Sequence, residues 1–147
     1  METKTQSWKI RQVGVVVRDV DQAIKRLSSL GIGPFEFRPP PPDREEWYRG
    51  QPHKVNVKIS MAQLGDVQLE LIQPLDGKSP HGEYLEEKGE GIQHLMFSVE
   101  DFDKVTSGLV KEGAVELLRA KFPDGPELAY LDLNVGGIIL ELVEQKP

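Results

Sequence analysis

The chain has 147 residues, 38% hydrophobic and 29% charged, which fits one compact globular domain. Its 18 basic and 24 acidic side chains give a formal net charge of −6 without any basic run, so we expect no nucleic-acid partner. The absence of cysteine excludes disulfides, thiolate nucleophiles and cysteine-ligated metals. Because no apolar leader or long apolar run is present, we expect a cytoplasmic protein with no membrane partner.

The N-terminal part predicts a strand followed by an amphipathic helix. Residues 10–17 are rich in β-branched side chains, which is typical of a strand. Asp19 then offers an N-cap with Gln22 three residues later, and apolar side chains recur at helical spacing after it. Gly31 is a helix stop. We therefore predict a helix between Asp19 and Gly31, and a strand or loop at residues 31–37.

The middle of the chain mixes an irregular segment with two strands. Residues 38–54 contain a run of four prolines and then mixed charges, which predicts an irregular excursion without regular structure. Residues 55–62 and 67–73 predict two strands joined by a tight turn. The connector at residues 74–91 contains a short helix that begins after Ser79.

The pattern then restarts. Residues 92–99 predict a strand, and a helix opens at Asp101 and ends at Gly113. Three more strands are predicted at residues 115–119, 128–133 and 138–143.

The two halves of the chain resemble each other. When residues 12–31 are shifted by 82, five of 20 pairs are identical, and they fall at a strand end, the helix cap, the helix face and the helix stop. When the Leu-Glu-Leu at residues 69–71 is shifted by 71, it superposes on the Leu-Glu-Leu at residues 140–142. We therefore predict two copies of a βαβββ module, with loops of different length between equivalent elements.

Four polar side chains lie on strand faces that are otherwise small or apolar: Gln12, Glu70, His94 and Glu141. A strand Glu usually points to water, and that interpretation stays open. However, Ile139 and Val143 make the face of Glu141 too apolar for an ordinary solvent face. If the sheet curls, the four faces converge, and two carboxylates, an imidazole and a carboxamide can bind one divalent metal ion.

The other candidate side chains are weaker. His53 and His81 lie in segments that carry Pro and Gly, so both are predicted to be surface residues rather than ligands. Trp47 and Tyr48 either cover an apolar pocket or anchor the excursion. The glycines in "GIGPF" follow a helix rather than a strand, so they do not indicate a dinucleotide site.

This layout is similar to the vicinal oxygen chelate superfamily, the glyoxalase, bleomycin resistance and dioxygenase proteins. The chain most resembles the methylmalonyl-CoA epimerase and glyoxalase-like branch. The resemblance lies in "QVGVVVRDVDQAIKRLSSLGIGPF", "VQLELIQPL", "SPHGEYLEEKGEGIQHLMFSVEDFD" and "GGIILELVE". It implies an α+β fold of two βαβββ modules that form a curled mixed sheet around a concave metal or ligand cleft. The single domain would span residues 1–147, with modules at 8–73 and 92–147 and the connector at 74–91.

The resemblance also implies a ligand set. In the family one ligand comes from the first strand and one from the last strand of each module. By position these are Gln12, Glu70, His94 and Glu141, around one divalent ion such as Co, Zn, Mn or Ni. Glu141 would also be the catalytic acid/base.

Two positions depart from the family pattern. The first-strand ligand is usually His, and Gln12 is a weaker donor. Epimerases of this branch also pair the last-strand Glu with a second Glu on an inner strand of the first module. The corresponding strand here offers Asn56 and Lys58 but no acid, and the nearby Glu45 and Glu46 lie in what we expect to be a solvated loop.

Several functions are compatible with these residues. The leading hypothesis is a metal-dependent isomerase that forms an enolate of a small carbonyl substrate, resembling methylmalonyl-CoA epimerase, with an acyl-CoA as the implied substrate class. A glyoxalase-like lyase and a non-catalytic small-molecule-binding protein are the alternatives. An extradiol iron dioxygenase ranks last because it needs two histidines and one carboxylate, and only His94 is available. We also expect a homodimer, because an open sheet leaves strand edges to cover.

Overall fold

The computed structural model describes residues 5–145. After a short 3-10 helix at Thr5–Ser7 it contains ten strands and three helices. They are β1 Ile10–Val16, α1 Val20–Ser29, β2 Glu36–Phe37, β3 Glu45–Tyr48, β4 Gln51–Pro52, β5 Val57–Leu64, β6 Val67–Pro74, α2 Pro80–Lys88, β7 Gly91–Val99, α3 Phe102–Lys111, β8 Val115–Lys121, β9 Glu127–Asp132 and β10 Ile139–Glu144. No helix in this part of the chain has both the length and the apolarity needed to cross a membrane.

The two long helices pack on the sheet as their sequences predict, but only one has the predicted cap. The Asp19 carboxylate accepts a hydrogen bond from the Gln22 amide at 3.1 Å, which satisfies a free N–H of the first turn of α1. Asp101 instead adopts a left-handed backbone conformation and makes no side-chain cap bond to α3. Packing of Phe102 against Val99 and the core of the second module stabilises α3 in place of the cap.

All ten strands belong to one mixed sheet, in the order β2-β5-β6-β1-β7-β10-β9-β8-β3-β4. Each module contributes four strands in the same internal order, with its first strand parallel to its last: β1 pairs with β6, and β7 pairs with β10. The modules meet where β1 pairs antiparallel with β7. The predicted paired βαβββ fold is therefore confirmed, and the two first strands lie side by side at the centre of the sheet.

The prediction for residues 38–54 was wrong. This segment leaves the edge of the first module and forms the β3–β4 hairpin, whose first strand pairs with β8 of the second module. Glu46 is buried there, and its Oε1 accepts hydrogen bonds from Arg44 Nε at 3.1 Å and from the Val55 amide at 2.7 Å. The prolines and charges of this segment predicted a solvated loop. In the fold the buried charge of Glu46 is neutralised by Arg44, and only the folded contacts reveal this.

The returning chain closes over the second module. Val55 is buried in one apolar cluster with Leu117, Leu118, Tyr130 and Ile139. Ile139 lies directly across the β7–β10 ladder from His94. The excursion of the first module therefore packs beside the strands that carry the candidate site.

Candidate metal centre

Three of the four candidate ligands converge in the interior. Glu70 on β6 is 4% exposed, His94 on β7 is 0% exposed and Glu141 on β10 is 6% exposed. His94 Nε2 lies 3.1 Å from Glu70 Oε1 and 3.1 Å from Glu141 Oε1. In the sheet order β6-β1-β7-β10, the two carboxylates are three strand spacings apart, about 14 Å in a flat sheet. Their ligand atoms lie within 4.8 Å, so the side chains reach inward from a curved sheet.

The imidazole of His94 is held with one nitrogen aimed at the carboxylates. His94 Nδ1 lies 2.9 Å from Oε1 of buried Gln93, and because an amide oxygen only accepts, we assign the proton of the neutral ring to Nδ1. The Nε2 lone pair then faces Glu70 Oε1 and Glu141 Oε1, and within residues 5–145 none of these three buried atoms has a hydrogen-bond partner of acceptable geometry. Three electron-rich atoms thus face one another in a dry site, which is unfavourable unless a cation joins them.

The pKa values of His94 and Glu70 reflect the same electrostatic repulsion when protons are the only cations considered. Burial by itself lowers the pKa of His94, but the Glu141 and Glu70 carboxylates outweigh it and raise that pKa to about 9. Burial raises the pKa of Glu70, with the charge of Glu141 adding to the shift and His94 opposing it. A positive charge between the carboxylates is therefore favoured, whether a proton or a metal ion supplies it.

A glycine across the strand pair makes room for His94. Gly14 on β1 is the residue opposite His94 in the β1–β7 ladder and the neighbour of Glu70 in the β1–β6 ladder. A Cβ atom at position 14 would lie only 2.0–2.5 Å from three atoms of the imidazole ring. The missing side chain of Gly14 is therefore what lets the ring lie over β1 and reach both carboxylates.

Gln12 lies in the same buried region but contacts other side chains. Its Nε2 donates to Gln68 Oε1 at 3.3 Å and contacts Met61 Sδ at 3.6 Å. Across the β1–β7 ladder it faces Met96 rather than His94. Since its nitrogen is used in these contacts, the amide oxygen is the atom that Gln12 would offer to an ion.

His81 lies beside the candidate centre, and the prediction that it is a surface residue was wrong. It is 2% exposed in the first turn of α2, and its Nε2 lies 3.1 Å from the Tyr130 hydroxyl. The His81 and His94 rings make an edge contact with centroids 6.1 Å apart. The predicted Ser79 cap and Pro80 start of α2 are confirmed, but the sequence pattern gave no sign that the first turn faces inward.

The remaining candidates lie outside this cluster. Glu45 and Asn56 are exposed, and Lys58 forms an ion pair with Asp21 at 2.8 Å. Glu46 is bound by Arg44, as described above. The predicted surface position of His53 agrees with its partial exposure, and its Nε2 lies 3.1 Å from the Lys78 carbonyl oxygen.

The hairpin is also fastened to α2 from the outside. The Tyr48 hydroxyl and the Arg49 guanidinium both bind the Glu83 carboxylate, with Arg49 Nη2 2.6 Å from Glu83 Oε1. Hydrogen bonding to Arg49 lowers the pKa of Glu83 despite partial burial. Of the two roles considered for Tyr48, this contact supports the anchoring one.

The donor set fits a divalent ion. One imidazole nitrogen and two carboxylate oxygens are close together and buried, and no hydrogen bond from the described part of the chain uses them. The tautomer fixed by Gln93 presents a neutral nitrogen, the form that binds metal. A mixed nitrogen and oxygen set suits first-row divalent ions such as Zn, Co, Ni or Mn. Glu70, His94 and Glu141 could therefore hold such an ion.

Comparison with known proteins agrees with this fold and extends over nearly the whole chain. YqjC of Bacillus subtilis (strain 168), an uncharacterized protein, is 29% identical over 140 residues, covering 84% of this chain and 94% of YqjC. The methylmalonyl-CoA epimerase from Mycobacterium tuberculosis has a TM-score of 0.64 at 25% identity, covering 94% of this chain and 88% of the epimerase.

A second epimerase structure carries a bound acyl-CoA analogue. A variant of the Streptomyces coelicolor methylmalonyl-CoA epimerase in complex with 2-nitronate-propionyl-CoA has a TM-score of 0.66 at 21% identity, covering 95% of this chain and 98% of that protein. Residues 11–129 match the family model of the glyoxalase/bleomycin resistance protein/dioxygenase superfamily, which is most of the chain. The chain therefore belongs to the glyoxalase/bleomycin resistance protein/dioxygenase superfamily.

Proposed function

We propose that this protein is a metal-dependent isomerase that interconverts epimers of a small carbonyl compound through its enolate, with an acyl-CoA thioester as the substrate class. The buried group of Glu70, His94 and Glu141, with unpartnered atoms aimed at one point, carries the proposal. The similarity to methylmalonyl-CoA epimerases supports the substrate class. We place the protein in a reducing compartment, the cytoplasm, because it uses no cysteine.

The proposed ligands are Glu70, His94 and Glu141, with the Gln12 oxygen as a fourth. A bound divalent ion would act as a Lewis acid that lowers the energy of negative charge on the substrate oxygen. Gln93 keeps His94 in the tautomer that presents Nε2. The apolar cluster around Ile139 and Val55 excludes water, which strengthens every charge interaction inside.

Glu141 is the proposed acid/base. Its carboxylate would accept the proton from the carbon next to the carbonyl, and the electron pair of that C–H bond would enter the enolate. Because Glu141 serves one face, a proton from water would return to the opposite face of the same carbon, which completes the epimerisation without any net oxidation or reduction. Glu141 lies opposite Tyr130 in the β9–β10 ladder, so a neighbouring hydroxyl can steady the carboxylate.

A non-catalytic binding protein is the second candidate, and one observation favours it. β5 has no carboxylate at the position where the resemblance implies a second acid/base, since Asn56 precedes the strand and Lys58 pairs with Asp21. A protein with a metal centre and one base can bind a carbonyl ligand without epimerising it.

Metal analysis and isotope exchange together separate the two candidates. The purified protein is assayed for bound divalent metal, loaded with Zn²⁺, Co²⁺ or Mn²⁺, and incubated with 2-substituted acyl-CoA esters such as methylmalonyl-CoA in D₂O. The isomerase requires deuterium at the 2-carbon, lost when the metal is removed. Stoichiometric metal without deuterium uptake from any of the esters would identify the binding protein instead.

A further inference from the structure

A second buried histidine lies beside the candidate metal centre without a role in it. His81 occupies the first turn of α2, where Ser79 Oγ accepts a hydrogen bond from the Gly82 amide at 2.8 Å and fixes the turn. Its ring packs edge-on against Tyr130 at 5.2 Å between centroids and against His94 at 6.1 Å. A buried imidazole with such neighbours loses its hydration and needs protein partners.

Only one of the two ring nitrogens of His81 has a partner. Nε2 lies 3.1 Å from the Tyr130 hydroxyl, whereas buried Nδ1 has no partner among the residues that the structure describes. A buried N–H without an acceptor is costlier than a buried lone pair at a nitrogen. The favoured neutral tautomer therefore has its proton on Nε2, which donates to the Tyr130 oxygen, and leaves Nδ1 bare.

Tyr130 then has its own proton free for a second partner. It lies directly across the β9–β10 ladder from Glu141, so both side chains are on the same face, and its ring is 4.8 Å from that of His94. The Tyr130 hydroxyl accepts from His81, and an ionised carboxylate can only accept, so the role left to the phenol proton is donation to Glu141.

We propose that His81 is a positioning residue of the metal centre: it donates to the Tyr130 hydroxyl, which in turn donates to Glu141 and fixes the orientation of that carboxylate. The contacts that carry this are the 3.1 Å distance from His81 to Tyr130 and the cross-strand pairing of Tyr130 with Glu141. The proposal deepens the proposed function and rests on the metal centre, though not on the epimerase reaction. It links the connector helix α2, which lies between the two modules, to the ligand on the last strand.

Three single variants and one double variant of the whole chain test the relay by equilibrium Zn²⁺ affinity. Tyr130→Phe and His81→Leu each break one link and are expected to weaken Zn²⁺ binding by about 10–100-fold, the usual cost of losing a contact that orients a ligand. His81→Gln keeps an N–H donor near the position of Nε2 and is expected to stay within about threefold of the wild type. The double variant His81→Leu/Tyr130→Phe should be no weaker than either single variant, because both changes break the same relay.

A second measurement needs no variant. In ¹⁵N-histidine-labelled protein, the His81 ring is expected to show a protonated Nε2 and an unprotonated Nδ1, with or without Zn²⁺. A merely structural role for His81 would not predict rescue by Gln, non-additive losses or this tautomer.

Three results would overturn the proposal: His81→Gln binding Zn²⁺ as weakly as His81→Leu, additive losses in the double variant, or a proton on His81 Nδ1. If wild-type protein binds no Zn²⁺, the proposal falls with the metal centre. If Zn²⁺ binding follows the expected pattern but no acyl-CoA ester takes up deuterium, the relay stands and the proposed isomerase activity fails.

Discussion

The two modules place different residues at equivalent positions, and the difference decides which of them reaches the centre. Gln12 and Gly14 of β1 correspond to His94 and Met96 of β7 when the sequence is shifted by 82 residues. The antiparallel register pairs Gly14 with His94 and Gln12 with Met96, as a two-fold relation between modules requires. His94 therefore lies over a glycine and reaches both carboxylates, whereas Gln12 faces methionine and contacts Gln68 and Met61. The residue opposite the ligand on the neighbouring strand therefore matters as much as the ligand itself in deciding whether that ligand reaches the centre.

A substitution at Gly14 is expected to have the largest effect on the centre. Gly14→Ala places a Cβ within 2.0–2.5 Å of the His94 ring, so the ring must move. We expect metal affinity to fall by at least about 100-fold, more than the roughly 10–100-fold cost of a lost supporting contact. Overpacking should also reduce the free energy of unfolding by about 1–3 kcal/mol. Isothermal titration and urea unfolding would measure the two effects.

Gly77→Ala is the matched control for that change. A Cβ at position 77 meets no atom within 4 Å, so the same substitution should leave metal affinity unchanged. Equal losses in both variants would show that the Gly14 contact is irrelevant to the centre.

A histidine at position 12 of the first module tests whether that module can also supply an imidazole ligand. Gln12→His places an imidazole where the second module has His94, and we expect divalent metal to bind about tenfold more tightly or better. Gln63→His makes the same change at an exposed position of β5 and should have no such effect. An unchanged dissociation constant for Gln12→His would mean that position 12 does not face the ion.

The connections inside the modules also differ, and the longer one packs beside the strands of the site. The first module sends the β3–β4 hairpin to β8 and anchors it through Glu83, whereas β8 and β9 of the second module are joined by a short turn. Glu83→Ala removes a partly exposed anchor worth up to about 1 kcal/mol, so a chelator should strip metal up to about fivefold faster. Stopped-flow stripping by a chelator would measure this rate. Glu87→Ala, on the exposed face of the same helix, is the control, and equal rates for the two variants would refute a covering role.

The two ends of the sheet are alike, because the edge strand at each end has only two residues. β2 and β4 are the edge strands, one belonging to each end of the sheet. Such edges can pair across a two-fold axis, and we expect sedimentation at micromolar concentration to give twice the 16.5 kDa mass of the chain. A metal-loaded monomer would show that one chain needs no second copy, since one chain already brings Glu70, His94 and Glu141 together.

The sequence predicted the parts of the molecule that follow local periodicity or the repeat. The matched Leu-Glu-Leu segments placed Glu70 and Glu141 on equivalent strands, and helix α1 follows from Asp19 and its apolar face. Features that depend on long-range contacts could not be predicted from the sequence. His81 becomes buried only because α2 packs on the sheet and brings its ring against Tyr130, and Glu46 only because Arg44 and the Val55 amide bind it. A polar residue with distant partners has the same local signature as one that faces water.

Metal analysis of a His94 variant decides whether Glu70, His94 and Glu141 hold one divalent ion. Wild-type protein, dialysed after loading, should retain one equivalent of Zn²⁺ or Co²⁺ per chain. His94→Ala should retain none while keeping the wild-type far-UV circular dichroism spectrum, because it removes the one nitrogen that both carboxylates face at 3.1 Å. If folded His94→Ala binds metal as tightly as the wild type, the metal site lies elsewhere and Glu70, His94 and Glu141 do not form it.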